Sequence, residues 1–458
     1  MTARTRVAWI ASALFAILGC SAPTYTVRIT SDPSPAEVAV STPGSDAYSI
    51  KTPATQVFEF DDGRVYSLAF SAAGYDTYVR SLSKGQLEVL PATGESDTKA
   101  LHVALHKTIK LFDELTEIVI LFDPTARKYV GRRKVVRSYE EDVERTMGPV
   151  ARIVDLGSTL RIGGLALSPN GERIIYALAE ANLPDADNCP IASANLYSVS
   201  NKGGGIAPIT DDQHVNLFPM FDGGGDKVFF VSDCFGGSTL VRKSAKERSG
   251  GLERVYEDTR GAQISEPSVA PSGLLVFDVV SAGAPRVKAR LWTLGGAAQY
   301  PQQIGEGHQG RVSPDGGRLV TIGPDHNIWS MTTDGGERTQ LTSKASDLLS
   351  EVMRKAPGWD ANVLAEVYPP YSNPCWSPDG RFILYTSREG RDNSGEPNED
   401  IWMMTSQGTN PTQLTTNGSA DQRPVVSPDG AFIYFVSNRG ASWAICRMEA
   451  PAELKPAR

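Results

Sequence analysis

Histidine and cysteine are scarce in this sequence, five of each among 458 residues. They are scattered rather than spaced as ligands, which leaves little material for metal chemistry. There is no Gly-x-Ser-x-Gly elbow, no His-Glu-x-x-His and no glycine-rich phosphate loop, so the common hydrolase, metalloprotease and nucleotide-binding signatures are missing. Basic residues do not dominate: 45 Lys and Arg stand against 53 Asp and Glu, a net charge of −8. That balance argues against sequence-independent nucleic-acid binding, which runs on clustered cations. Beyond the first twenty residues no run is apolar enough to cross a bilayer. These absences predict a protein without cofactor or metal, and not an enzyme.

Turn formers, by contrast, are plentiful. The chain carries 43 Gly and 30 Pro, singly and in short turn motifs, as many short strands require. Residues 1–20 open with Arg4 and Arg6, continue apolar from Val7 to Ile17 and end in Ile17-Leu18-Gly19-Cys20. The apolar run is short for a membrane span and reads as a signal segment. Its end resembles the lipobox of bacterial lipoproteins. The resemblance implies a signal peptide over 1–19, a diacylated Cys20 and a tether over 20–24. Ser21 after the cysteine implies the outer membrane, with the protein lipid-anchored and facing the periplasm or the cell surface. The alternative is an ordinary signal peptide with a chance cysteine. Export permits disulfides, and Cys189 and Cys234, in equivalent loops of neighbouring repeats, are candidates for one; Cys375 and Cys446 sit in strand-like runs as buried thiols.

Residues 25–106 alternate apolar and polar in short runs, such as Tyr25–Ile29, Glu37–Val40, Gln56–Phe60 and Val65–Phe70, divided by turns such as Asp61-Asp62-Gly63. That is the pattern of a half-buried antiparallel sheet. The series Val27-x-Ile29-x-Ser31-x-Pro33-x-x-Ala36-x-Val38, then Thr52-Pro53 and Gly74-Tyr75, resembles the PEGA domain. This implies a spacer or adhesion module without catalytic residues. The 107–150 segment reads as a linker with a strand at Ile118–Phe122 and a short helix opened by Ser138-Tyr139-Glu140-Glu141. The basic stretch Arg127–Arg137 between them has two readings, an anion-facing surface or a solvated hairpin, and the hairpin is preferred because Val130, Val135 and Val136 need a core.

Internal repetition dominates the rest. A turn recurs at Ser168-Pro169-Asn170-Gly171, Ala270-Pro271-Ser272-Gly273, Ser313-Pro314-Asp315-Gly316, Ser377-Pro378-Asp379-Gly380 and Ser427-Pro428-Asp429-Gly430, with Asp222-Gly223-Gly224-Gly225 as a degenerate sixth. An apolar strand follows each turn, and then a second such as Asn327-Ile328-Trp329 or Asp400-Ile401-Trp402. Each unit is a four-stranded blade that cannot bury both faces alone, whereas a ring of blades can. The pattern resembles the WD40-like repeat of the TolB propeller and implies an all-β protein, a small antiparallel β-sandwich followed by a six-bladed β-propeller over 151–448 with a tail over 449–458. The upstream segment Ala151–Asp155 is the strand expected to close the ring. The longest spacing between repeats contains a helical insertion at 345–371, where Leu348, Leu349, Val352 and Met353 form one stripe to pack on the propeller.

Four residues before each turn, the innermost strands carry Gly164, Phe218, Glu266, Gln309, Asn373 and Arg423, and one residue earlier lie His308 and Gln422. Glu266, His308, Gln309, Asn373, Gln422 and Arg423 are the candidate ligand-binding residues at a channel mouth; the alternative is that they only solvate the channel. His308 with Gln309 resembles metal-bound propeller lyases of pectic oligomers, but His214 and His326 fall out of register, so no metal site is expected. TolB-like propellers also precede peptidase domains, and here Arg458 comes ten residues after Met448, so no catalytic domain is expected. By resemblance to TolB the partner is another envelope protein or a peptidoglycan-associated lipoprotein. The competing expectation is a glycan-binding or glycan-cleaving propeller at the outer membrane face.

Overall fold

The computed structural model describes residues 23–455 except 33, 43–44, 46, 61–63, 73–77, 89, 94–97, 105–113, 124–127, 138–149, 182–187, 247–250, 282–287, 297, 356–360, 392–396, 417 and 440–441. The signal segment with Cys20 and the helix expected from Ser138 lie outside the described residues. Six four-stranded antiparallel blades follow in sequence order from Ile162, the first continuing into three upstream strands and the last completed by another. Their innermost strands are Ile162–Leu167, Asn216–Phe221, Gln263–Val269, His308–Val312, Tyr371–Trp376 and Asp421–Val426. Each touches the next, and the sixth touches the first, so the sheets are the blades of a closed propeller. The outermost strand of blade 6 comes from upstream: Ala151–Gly157 pairs antiparallel with Trp443–Glu449, from Ala151 opposite Arg447 to Gly157 opposite Trp443.

The repeated turn works through its serine and its acid. In blades 1, 4, 5 and 6 the serine hydroxyl accepts the N–H five residues on, with Arg173, Arg318, Phe382 and Phe432 at 2.8–3.0 Å. The same hydroxyl donates to Asn170, Asp315, Asp379 or Asp429 two residues on. In blade 2 the carboxylate of Asp222 takes the serine's place and accepts Lys227 N–H at 3.1 Å. Every turn ends on a glycine of positive φ, from 64° at Gly430 to 82° at Gly273, where a side chain would be strained.

A second recurring tie joins the third strand to the end of the fourth. Thr210, Thr342 and Thr415 donate to Asn195, Asn327 and Asp400 at 2.9, 3.2 and 3.2 Å. Blade 5 alone among these uses an acid, fully buried and close to Asp421. Burial, and then the Asp421 charge, push the Asp400 carboxyl well above the ordinary range. An acid with a raised folded pKa holds its proton longer when folded, so its contribution to stability is present at low pH and lost as pH rises. Asp400→Asn keeps the acceptor that blades 1 and 4 use. It is expected to be about 1 kcal/mol more stable than the parent at pH ~8 and to differ little at pH ~5. Urea unfolding at the two pH values checks this, and equal effects at both would contradict it.

The sandwich has two sheets. One orders Ala54–Glu59, Thr24–Asp32 and Thr98–Ala104, the last two parallel; the other orders Tyr48–Lys51, Glu37–Ser41, Tyr66–Ser71 and Tyr78–Leu82. Alternate residues Val27, Ile29, Val38, Val40, Leu68 and Phe70 meet between them. The sandwich rests on blade 1: Ser83 donates to Asp211, and the Tyr197 hydroxyl shares hydrogen bonds with Ser81 and Gln86.

In the insertion, helices Ala345–Lys355 and Ala361–Val367 pack through Ala345, Leu348, Val352 and Leu364, while Met353 of the expected stripe is exposed. Cys375 and Cys446 lie in strands and are not disulfide-bonded. Cys234 is likewise unbridged, so the bridge expected to Cys189 is not formed. Cys189 is committed by its backbone to a ladder opposite Gly131, and Cys234 follows Ser232 in a turn.

Candidate binding site in the propeller channel

Each innermost strand breaks its ladder at the same place. The register shifts between Ile162 and Leu165, Leu217 and Met220, Ser265 and Ser268, His308 and Arg311, Ser372 and Cys375, and Gln422 and Val425. The residue at each bulge has positive φ: 144° at Gly164, 56° at Phe218, 50° at Glu266, 56° at Gln309, 50° at Asn373 and 57° at Arg423. A left-handed non-glycine residue costs about 1–2 kcal/mol, so five in register are held by their surroundings. Proline follows the bulge in blades 2, 3, 5 and 6, where the broken ladder requires no donor.

The freed N–H groups are bonded from the neighbouring blade. Gln309 N–H donates to Asp278 at 2.7 Å, Asn373 N–H to Gln309 Oε1 at 2.7 Å and Arg423 N–H to Thr386 Oγ1 at 3.2 Å. Across blades 3 and 4, Arg311 pairs with Glu266 at 2.6 Å and also donates to its carbonyl at 3.3 Å. Together the bulges enclose a cavity of about 210 Å³ lined by Gly164, Phe218, Glu266, Arg311, Asn373 and Arg423 with the prolines between them. The cavity extends past Leu167, Trp376 and Val426, which precede the turn serines. It therefore lies on the side of the bulges that faces the turns. Cys375 lines it too, and burial pushes its thiol up to about 12, so it stays protonated and is no nucleophile at neutral pH.

Of the six residues expected at one mouth, Glu266, Asn373 and Arg423 meet in this cavity, whereas Gln309, His308 and Gln422 do not line it. Gln309 is turned into the tie to blade 5, its side-chain oxygen spent on Asn373. His308 and Gln422 precede their bulges and so lie on the far side. Among the described residues no group of three or more His, Cys, Asp or Glu side chains could hold a metal ion. Arg311 was not anticipated. It stands two residues after its bulge, where the other blades carry Ala166, Met220, Ser268, Cys375 and Val425, and a lone arginine in that uncharged register was the available signal.

A hairpin lies across part of the far side. Strands Glu114–Asp123 and Lys128–Arg137 form a hairpin that crosses the face where the innermost strands begin. It pairs with blade 1 through Gly131 opposite Cys189 and reaches blade 2 through Tyr129 and Ser238 at 3.3 Å. It accepts Trp443 Nε1 of blade 6 on Thr116 O at 3.0 Å. In blade 5 Lys134 bonds both oxygens of Glu399 at 2.7 Å, and Glu117 lies 3.2 Å from the same ammonium. Gln422 donates to Glu117 at 2.8 Å and to Glu399 at 2.6 Å, while Arg388 lies 3.4 Å from Glu399. Burial works to raise the Glu399 carboxyl, but Lys134 and Arg388 outweigh it and hold it below the ordinary range. The solvated hairpin expected here is corrected at one point: Lys134 is 3% exposed and Val135 40%. Strand alternation turns the lysine toward the two glutamates and the valine outward.

No protein-family model matches the chain. It is 24% identical over 280 residues to dipeptidyl-peptidase 5 of Porphyromonas endodontalis, a match covering 60% of this chain and 37% of that protein, so the chain spans little more than a third of that relative's length. Among solved structures it is similar to TolB from Acinetobacter baumannii, with 14% identity, 74% of this chain and 80% of that one covered, and a TM-score of 0.41. It is also similar to an oligogalacturonate lyase from Vibrio parahaemolyticus, with 12% identity, 74% and 98% covered, and a TM-score of 0.42. The ring itself is established by the strand ladders and their closure. By fold, then, the chain is a small sandwich followed by a six-bladed β-propeller.

Proposed function

We propose that this is a non-catalytic lipoprotein of the cell envelope whose propeller binds another envelope protein, or a peptidoglycan-associated partner, at the channel opening on the turn face. The supporting observation is the set of bulges that brings Glu266, Arg311, Asn373 and Arg423 to one cavity. Convergent polar groups in an otherwise apolar recess fit recognition. The hairpin bonded to four of the six blades on the opposite face favours approach from the turn face. In this reading Cys20 carries the lipid, the outer membrane is the anchor, the protein faces the periplasm and the sandwich is the spacer.

The test is crosslinking in whole envelopes followed by affinity recovery, comparing the parent with the double variant E266Q/R423Q. Glutamine already occupies the equivalent position in blade 4 as Gln309, so the fold tolerates it there. Recovery of a protein partner is expected to fall about tenfold or more at a temperature where both proteins remain folded, the double variant being less stable because Arg311 loses its charged partner. Undiminished recovery would remove the channel as the site, and recovery of polysaccharide without protein would favour a glycan-binding propeller.

A further inference from the structure

The molecule shows what its inter-blade grooves can hold. After the last strand of blade 6 the chain turns onto the turn face and lays Pro451–Lys455 into the groove between blades 5 and 6. Leu454 is fully buried there in a cluster with Met403, Leu414 and Ala450, against Phe382. Arg381 donates to the carbonyls of Glu453 and Lys455 at 2.6 and 3.3 Å. Gly430, with φ 64°, lets the tail backbone approach; a Cβ there would lie 2.2 Å from Leu454 O. This groove is thus a seat for a short peptide, read through backbone carbonyls and one inserted side chain.

The equivalent groove between blades 4 and 5 is open, a cavity of about 360 Å³. By repeat register Leu341 stands for Leu414, but Arg318 and Ser330 replace Phe382 and Met403, and Trp376 replaces Val426. The apolar socket that holds a leucine next door is here polar. Arg318 is ion-paired to Glu337 at 3.1 Å and Asp379 to Arg381 at 2.5 Å, while Asp315 makes no ion pair among the described residues, although the nearby Arg318 charge also favours its carboxylate. Hydrogen bonds from Ser313 and from Gly317 N–H hold the Asp315 carboxyl below the ordinary range. Trp376 is fixed by its Nε1 bond to Arg311 O at 2.9 Å and lines the same cavity, where an indole face favours a cation.

We infer that the groove between blades 4 and 5 is a docking site for a short polypeptide segment of a partner, which seats a lysine or arginine side chain between Asp315 and Trp376 where the neighbouring groove seats Leu454. The site shares only Trp376 with the channel cavity and stands whether or not the channel binds a partner.

Fluorescence anisotropy at low ionic strength with labelled Pro-Ala-Glu-Lys-Lys, the tail sequence with lysine at the Leu454 place, tests it on the full chain. This peptide is expected to bind about tenfold or more tighter than Pro-Ala-Glu-Glu-Lys, and D315N to weaken it about tenfold. D315N leaves the turn intact, since blade 1 carries Asn170 there with Ser168 donating to its side-chain oxygen at 2.7 Å. D429N, the same change in the equivalent turn of blade 6, is expected to leave peptide binding unchanged. Equal affinity of the two peptides, binding by neither, D315N behaving as the parent, or equal loss of binding in D429N would each overturn the inference. So would displacement of the peptide by an N-acetylglucosamine oligomer, which would make the groove a saccharide site.

Discussion

Lys134→Met is expected to destabilise the protein by about 3–5 kcal/mol, the cost of removing one partner from a buried ion pair. Methionine keeps most of the lysine stem, so the loss falls on charge rather than volume. In the parent one ammonium serves two glutamates 2.7 and 3.2 Å away, all nearly fully buried. Without it Glu117 and Glu399 face each other with Gln422 and Arg388 as their remaining partners. Desolvation that the cluster now offsets then stands uncompensated. Urea unfolding measures the loss, and amide exchange over 114–137 is expected to speed up before the blades open. The triple variant K134M/E117Q/E399Q removes all three charges and is expected to recover much of the difference. If K134M unfolds like the parent, the hairpin is held by its strand pairing to blade 1 instead.

Trp443→Ala carries the next largest expected effect, about 3–5 kcal/mol for emptying a large buried aromatic site. Trp443 is fully buried where three parts of the chain meet: Leu156 of the closing strand, Tyr434 of blade 6 and Leu115 of the hairpin share its cluster. Its backbone pairs with Gly157 and its indole N–H with Thr116 O. Trp443→Phe fills most of the cavity but leaves that carbonyl unpaired, and about 1–3 kcal/mol of the loss is expected to remain. The denaturant slope separates two outcomes. An unchanged slope means a cavity in a closed ring; a smaller slope means that the closing strand has come away in the native state.

The ring was readable in the sequence because each blade writes the same chemistry: Ser168, Ser313, Ser377 and Ser427 must accept an N–H, and their glycines must take positive φ. Position within the repeat likewise picked out Glu266, Asn373 and Arg423, since the bulge recurs at a fixed distance from the turn. The same reasoning could not tell one side of the bulge from the other, so His308 and Gln422 were grouped with residues they do not meet. Nor could it place Lys134 opposite Glu399, 265 residues away. A pairing of that range leaves no local period, and a basic strand reads alike whether its lysine faces water or two buried carboxylates. The tail in the groove between blades 5 and 6 was unreadable for the same reason, because only Leu454 among its residues is apolar and large.

The closing strand also orders events in time. Ala151–Gly157 leaves the ribosome before any blade, yet its partner Trp443–Glu449 comes last; the bond from Arg152 to Arg439 O spans 287 residues. Until then the strand has exposed backbone donors and acceptors, and blade 1 has no neighbour on one flank. Loop-closure entropy grows slowly with length, so the final pairing is set less by distance than by how long earlier blades keep their faces from other chains. A propeller built this way gains its cooperativity at one late step. Stalled or truncated synthesis leaves not a smaller stable ring but an open one with two adhesive edges.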